Sequence, residues 1–206
     1  MKLFYSPGAC SVGIHVLLEE IGKPYEAVRL DLRGGEQLKP PFAEINPKGK
    51  VPTVQRDDGR VITEYPVIAH WLAKTNPQAG LMPKSEDAEL AAASAMDYCV
   101  ATIHMQGFSR LFRPSNFAPN EADHEAVKAR GHELIERGYG IMDKALNGQQ
   151  WVAGEYSMAD SALFYVEFWG AKRMNIPLPP NLAGHFDRMM ARPAVQRTFA
   201  QEGLQA

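Results

Sequence analysis

The stretch from Leu3 to Ile21 limits the possible folds more than any other part of the chain. Lys2 to Tyr5 is short, apolar and aromatic, which suits a strand. Pro7-Gly8 ends it. Val12, His15, Val16 and Glu19 then recur at helical spacing, as do Ile14, Leu17, Leu18 and Ile21, and Gly22 stands where a helix-ending glycine belongs. Cys10 falls at the strand-to-helix turn, where unpaired backbone N–H groups carry partial positive charge and favour a thiolate over a thiol. A helix N-terminus supplies up to ~2 kcal/mol in good geometry, enough to pull a free thiol toward neutrality. The competing reading of Cys10 is a small buried hydrophobe. Gly13 occupies the place of a second cysteine in a two-thiol exchange motif, so a working Cys10 needs a partner thiol from another molecule. Cys99 lies in a strongly helical region and reads as core.

The following residues keep alternating between element types. Tyr25 to Leu32 sets Val28, Leu30 and Leu32 on one side and Arg29 and Asp31 on the other, which predicts a second strand. Strand, helix and strand over about 30 residues imply a parallel pair with a right-handed crossover. Arg33-Gly34-Gly35-Glu36 is a loop, Phe42 to Ile45 a short helical turn, and Asn46-Pro47-Lys48-Gly49 its end. Val51 to Arg56 and Val61 to Thr63 form a hairpin across Asp57-Asp58-Gly59-Arg60. Pro52 belongs at a strand start or edge. Pro66 suits a first helical position, and Val67, Ile68, Trp71 and Leu72 give that helix an apolar face. Asn76 to Pro83 is a break rich in proline and glycine, and no strand is expected after it. Helices are expected from Glu86 to Leu111, from Asn120 to Leu146 and from Asn181 to Ala191. Ser157-Met158-Ala159-Asp160 resembles a capping box opening another, buried helix. The expected organisation is an α/β domain with a mixed four-stranded sheet over 1–77, a linker over 78–84, and an all-helical domain over 85–206.

Composition narrows the function. A net charge of −2 gives no electrostatic reason for nucleic acid or an anionic membrane as partner. Two cysteines are too few for a disulfide framework, which points to a reducing compartment, the cytoplasm. No signal segment is recognised, and no run of about 18 apolar residues predicts a membrane span. The six histidines form no ligand-spaced cluster, so no metal is expected.

Taken together, several motifs resemble the bacterial, cysteine-containing beta class of glutathione S-transferases over nearly the full chain. They are Leu3-Phe4-Tyr5-Ser6-Pro7-Gly8-Ala9-Cys10-Ser11, Asn46-Pro47-Lys48-Gly49-Lys50-Val51-Pro52, Thr63-Glu64, Gly107-Phe108, Leu111-Phe112-Arg113-Pro114, Ser157-Met158-Ala159-Asp160 and Arg192-Pro193. The resemblance implies a thioredoxin-like first domain, a helical second domain, a cytoplasmic homodimer with a role in detoxification, and glutathione as cosubstrate. Carried over by residue, it implies a cis Val51–Pro52 peptide whose Val51 backbone pairs with glutathione like an added strand. Glu64 would bind the ammonium of the γ-glutamyl end, and the N–H groups of the turn, Tyr65's included, its carboxylate. Cys10 would lie beside the glutathione sulfur.

Some positions depart from the pattern. Tyr65 stands where relatives carry a small residue, often serine. Tyr98 and Met105 stand where an asparagine and a histidine are expected, and His104 lies one residue early, rotated about 100° around an α-helix. His104 therefore either reaches glutathione through a local shift or is an ordinary interhelical histidine. The basic residue expected after the second strand is Arg33, with Lys39 the alternative. Met105, Phe108, Phe112 and Trp169 are candidates for an apolar pocket between the domains, suited to a hydrophobic electrophile. The implied activity is attack of an activated glutathione thiol on such an electrophile. Glutathione-dependent thiol–disulfide exchange through Cys10 is a further possibility. The alternative is a non-catalytic glutathione-fold protein that binds ligands or partners without turnover.

Overall fold

A computed structural model describes residues 1–205. It divides into two compact units, Met1–Met82 joined by the stretch from Arg188 onward, and Pro83–Asp187.

The first unit contains β1 (Lys2–Tyr5), α1 (Ser11–Ile21), β2 (Glu26–Arg29), α2 (Phe42–Ile45), β3 (Thr53–Gln55), β4 (Val61–Thr63) and α3 (Tyr65–Thr75). The sheet is four-stranded in the order β2-β1-β3-β4. β1 runs parallel to β2, with Lys2 opposite Glu26 and Tyr5 opposite Arg29. β3 is antiparallel to both its neighbours, pairing Thr53 with Phe4 on one side and with Thr63 on the other. The sheet is thus mixed, as the pattern predicts. Its register brings the end of β1, the start of β3 and the end of β4 to one edge. Val12, Ile14, Val16 and Leu17 of α1 are fully buried with Leu3 and Val54. Phe4, Leu30, Phe42 and Val51 form a core cluster around the first turns.

β2 is shorter than the expected Tyr25–Leu32. Leu30 still donates its N–H to the Tyr5 carbonyl at 2.8 Å, but Asp31 then turns the chain. Its carboxylate accepts the N–H groups of Arg33 and Gly34, each at 3.0 Å, a local bond that competes with the strand.

In the second unit α4 (Glu86–Asp97) is capped by Ser85, whose hydroxyl accepts the Ala88 N–H at 3.2 Å. The run predicted as one α-helix continues from it, but with the wider turns of a π-helix over Tyr98–Phe108 before α5 (Ser109–Phe112). α6 (His124–Ala145) follows a 3-10 turn at Glu121–Asp123 rather than beginning at Asn120. α7 (Met158–Phe168) opens on the predicted capping box, with the Ser157 N–H donating to Asp160 at 2.8 Å. α8 (Pro180–Met190) carries the chain out of this unit. The final helix, α9 (Pro193–Glu202), belongs to the first unit and packs on α1. The expected division, with all of 85–206 in one helical domain, therefore differs from the observed one. Val195 and Phe199 are buried, while Arg192 and Arg197 pair with Glu20 and Glu19 at 2.6 and 2.7 Å.

Glycines fix the crossing of the π-helical stretch with α6. A Cβ on Gly107 would lie 2.6 Å from Ile135, and one on Gly138 would lie 2.6 Å from Ile103, so each isoleucine fills the space the facing glycine leaves. Gly138→Ala should overpack this contact and destabilise the protein by about 1–3 kcal/mol, read from the midpoint of urea unfolding.

His185 is buried between two carboxylates, with Nδ1 2.9 Å from Glu167 and Nε2 3.2 Å from Asp160. Burial alone would disfavour the imidazolium, but the two acids raise His185 to about 9 from its ordinary 6.5. Because the folded value lies above the unfolded one, this stabilisation is complete below about pH 6.5 and fades as pH rises through 9. His185→Gln should therefore lower Tm more at pH 6 than at pH 9.5, by calorimetric melting at both.

Candidate functional site

The site begins with the turn between β1 and α1. Gly8 takes a positive φ of 63°, which lets the chain reverse before the helix. Its N–H donates to Glu202 at 2.6 Å, and the other Glu202 oxygen is 2.8 Å from His15 Nδ1. The side chains of His15 and Glu202 are fully buried. Ser11 braces the same turn, its hydroxyl accepting the Ser6 N–H at 3.2 Å and donating to the Ser6 carbonyl. Cys10 is the residue before the first helical turn, and its thiol donates to the Val51 carbonyl at 3.3 Å.

The expectation of an activated thiolate is corrected here. Cys10 keeps some exposed surface, yet burial of its sulfur pushes the thiol up to about 12. The N–H groups of Cys10 and Ser11 and the charge of Lys50 pull in the opposite direction, and Glu202 adds to the rise. The helix start acts with the expected sign but is outweighed by desolvation. The Cys10 sulfur is placed as a hydrogen-bond donor to the Val51 carbonyl.

Val51 and Pro52 stand just before β3, joined by a cis peptide. The preceding turn is built around Asn46, which is buried and donates to the Lys50 carbonyl at 3.0 Å and to Thr53 Oγ1 at 2.8 Å. Past the Thr53–Thr63 pair, the chain leaves β4 through Glu64 into α3. Glu64 has φ 68° and ψ 124°, a strained backbone for a residue with a Cβ, and strain of this kind clusters at functional sites. Its carboxylate makes no capping bond to α3 but accepts from Lys48 Nζ at 2.6 Å. Tyr65 begins α3, and its ring is a core residue only 4% exposed.

The structure thus brings Cys10, Val51, Pro52, Glu64 and Tyr65 to one edge of the first unit's sheet. Arg33 is exposed in the Asp31 turn, and Lys39 donates to the Gly34 carbonyl at 3.1 Å. His104 sits on the π-helical stretch of the second unit, 3.3 Å from the Tyr165 hydroxyl and edge-on to Trp169 at 4.7 Å. Of the four apolar pocket candidates, Phe108 and Trp169 are buried, Phe108 stacking on Phe112 at 5.8 Å and Trp169 meeting it edge-on at 5.2 Å, whereas Met105 and Phe112 are exposed. Sequence reasoning missed Lys48 and Glu202. Lys48 carries a signal only in its place inside Asn46-Pro47-Lys48-Gly49, and Glu202 carries none. Among the described residues no group of three or more histidine, cysteine or acidic side chains could hold a metal ion, and no helix is long and apolar enough to cross a membrane.

Residues 8–75, which carry this edge of the sheet, match the family described as glutathione S-transferase, N-terminal domain. Over 99% of its length the chain is 33% identical to the whole of glutathione S-transferase GstA of Escherichia coli O157:H7. The chain belongs to the glutathione S-transferase family. Among solved structures, this transferase is similar to the beta-class glutathione S-transferase of Sphingomonas chungbukensis, with TM-score 0.84 and 32% identity over 100% of both chains. It is also similar to a glutathione transferase homologue from Sulfitobacter solved with bound glutathione, with TM-score 0.89 and 29% identity over 99% of this chain and 98% of that one.

With Cys10 protonated, iodoacetamide should alkylate it slowly at pH 7. The rate, followed by intact-mass spectrometry of the unliganded transferase, should climb through pH 9.5 without a plateau. A plateau below pH 8 would mean a thiolate and contradict the structure.

Proposed function

We propose that this transferase binds reduced glutathione along the Val51 edge of its sheet and directs the glutathione sulfur at a hydrophobic electrophile. The observation that carries this reading is the 3.3 Å contact between the Cys10 thiol and the Val51 carbonyl. It sets a sulfur–hydrogen donor beside a strand start whose backbone can pair with an extended peptide. The cysteinyl unit of glutathione pairs with Val51, next to Pro52. The γ-glutamyl ammonium binds Glu64, and its carboxylate lies against the N-terminal end of α3, where Tyr65 begins the helix. Arg33 and His104 are candidates for further contacts with the peptide.

Cys10 acts here as a donor. Glutathione's thiol gives up its proton to solvent, and the Cys10 S–H turns toward the resulting thiolate and stabilises it; the thiolate sulfur bonds to the electrophilic carbon as the leaving group departs with the electron pair of the broken bond. A thiol raised by burial favours this role over mixed-disulfide exchange at neutral pH. Met105 and Phe112, 39% and 42% exposed, offer apolar surface for a hydrophobic cosubstrate, backed by buried Phe108 and Trp169. The protein is read as a cytoplasmic homodimer serving detoxification.

Calorimetric titration with reduced glutathione, paired with conjugation of a generic aryl halide, tests the reading. Binding and turnover are expected together. Cys10→Ala should bind glutathione with similar affinity and lose about 10- to 100-fold in kcat, as removal of a donor to a developing anion does. Binding without turnover would favour the non-catalytic alternative. No heat at millimolar glutathione would remove both.

A further inference from the structure

The turn before Val51 places a cation on the carboxylate that the proposed function gives to glutathione. Lys48 Nζ is 2.6 Å from Glu64 Oε1 and 2.8 Å from Thr63 Oγ1. Its backbone is fixed, because the Lys48 N–H donates to Asn46 Oδ1 at 3.1 Å and Asn46 is itself buried and bonded to Lys50 and Thr53. The side chains of the pair are about half exposed, 52% for Lys48 and 55% for Glu64, and exposed ion pairs of this kind are weak. Lys48 is therefore held close to Glu64 by its backbone and only loosely by its charge.

We propose that Lys48 is a specificity residue for the zwitterionic end of the ligand, exchanging partners when glutathione binds. This rests on the proposed glutathione site. Unliganded, the Lys48 ammonium fills the place on Glu64 that the α-ammonium of the γ-glutamyl unit takes. The α-carboxylate is carried on the same carbon as that ammonium. Once the ligand's ammonium occupies Glu64, the displaced Lys48 is within one ammonium's width of an incoming carboxylate and pairs with it. Two like pairs replace one, and no charge is left alone. A ligand with the ammonium but no α-carboxylate must break the Lys48–Glu64 pair and gives Lys48 nothing in return. Lys48 thereby selects for an amino acid terminus over a simple amine.

The test is calorimetry on the full-length wild type, Lys48→Met and Lys48→Arg, with two ligands. One is reduced glutathione. The other is 4-aminobutyryl-cysteinyl-glycine, which lacks only the α-carboxylate. Lys48→Met is expected to weaken glutathione about 5-fold, the upper range for an exposed ion pair. The same change should leave the analogue unaffected or bind it more tightly, and Lys48→Arg should keep the wild-type discrimination. Equal weakening of both ligands would make Lys48 merely structural and overturn the proposal, as would no change in either. Failure of the wild type to bind glutathione would instead overturn the glutathione site on which this rests.

Discussion

The first unit depends on one buried carboxylate. Glu202, near the end of the last helix, accepts the Gly8 N–H through one oxygen and meets His15 through the other. A buried carboxylate is stable only where its lone pairs are filled, so these contacts are obligatory once the helix docks. The contact at Gly8 closes the turn that presents Cys10, and the contact at His15 pins α1 beneath it. Tyr25 and Gln201 extend the network outward, the tyrosine hydroxyl donating to Glu19 at 2.6 Å and His15 Nε2 lying 2.7 Å from Gln201. Residues almost two hundred positions apart therefore set the geometry of the sulfur. The helix that looks like a C-terminal appendage is part of the scaffold of the N-terminal site.

That same carboxylate helps explain the state of Cys10. The helix start offers N–H groups, and the rule that they favour a thiolate is correct in sign. Burial of the sulfur, however, favours the proton, and the charge of Glu202 adds to it. Desolvation has the larger say because the helix contributes at most ~2 kcal/mol. A protonated Cys10 is a poor nucleophile but carries a hydrogen that it can donate, if weakly. Catalysis by donation asks only that a second sulfur arrive in reach, and an extended peptide on the Val51 edge would bring one.

Local patterns in the sequence made much of the fold legible. The strand–turn–helix at the N-terminus, the Asp-Gly hairpin, the capping box and the proline breaks each follow from short-range physics, and each appears in the structure. What was not legible depends on distance or on the helix type. Nothing near Pro193–Glu202 announces that this helix packs on α1, because its partners lie at the other end of the chain. His104 illustrates the second limit. Counting around an α-helix assumes i→i+4 bonds, but the Ser109 N–H reaches back to the His104 carbonyl, five residues away. The angular position of every side chain across Tyr98–Phe108 shifts accordingly, and His104 ends against Tyr165 and Trp169. The split among the pocket candidates has a similar origin: apolar spacing marks an apolar stripe but not which members a neighbouring helix covers.

Tyr65 and Glu64 depart from expectation in different ways, one in its side chain and the other in its backbone. A bulky ring in place of a small residue invites the expectation of a blocked crevice. The ring instead joins the core, and the group that faces a ligand at a helix start is the backbone N–H, which every residue but proline supplies. A role carried by main-chain atoms tolerates whatever side chain the core accepts. Glu64 is the opposite case. Its backbone is held in a region that costs on the order of 1–3 kcal/mol for a residue with a Cβ, and glycine would relieve that cost. At this strained position the carboxylate makes no capping bond to its own helix and meets Lys48 instead, so the charge it presents is open to the role proposed for it.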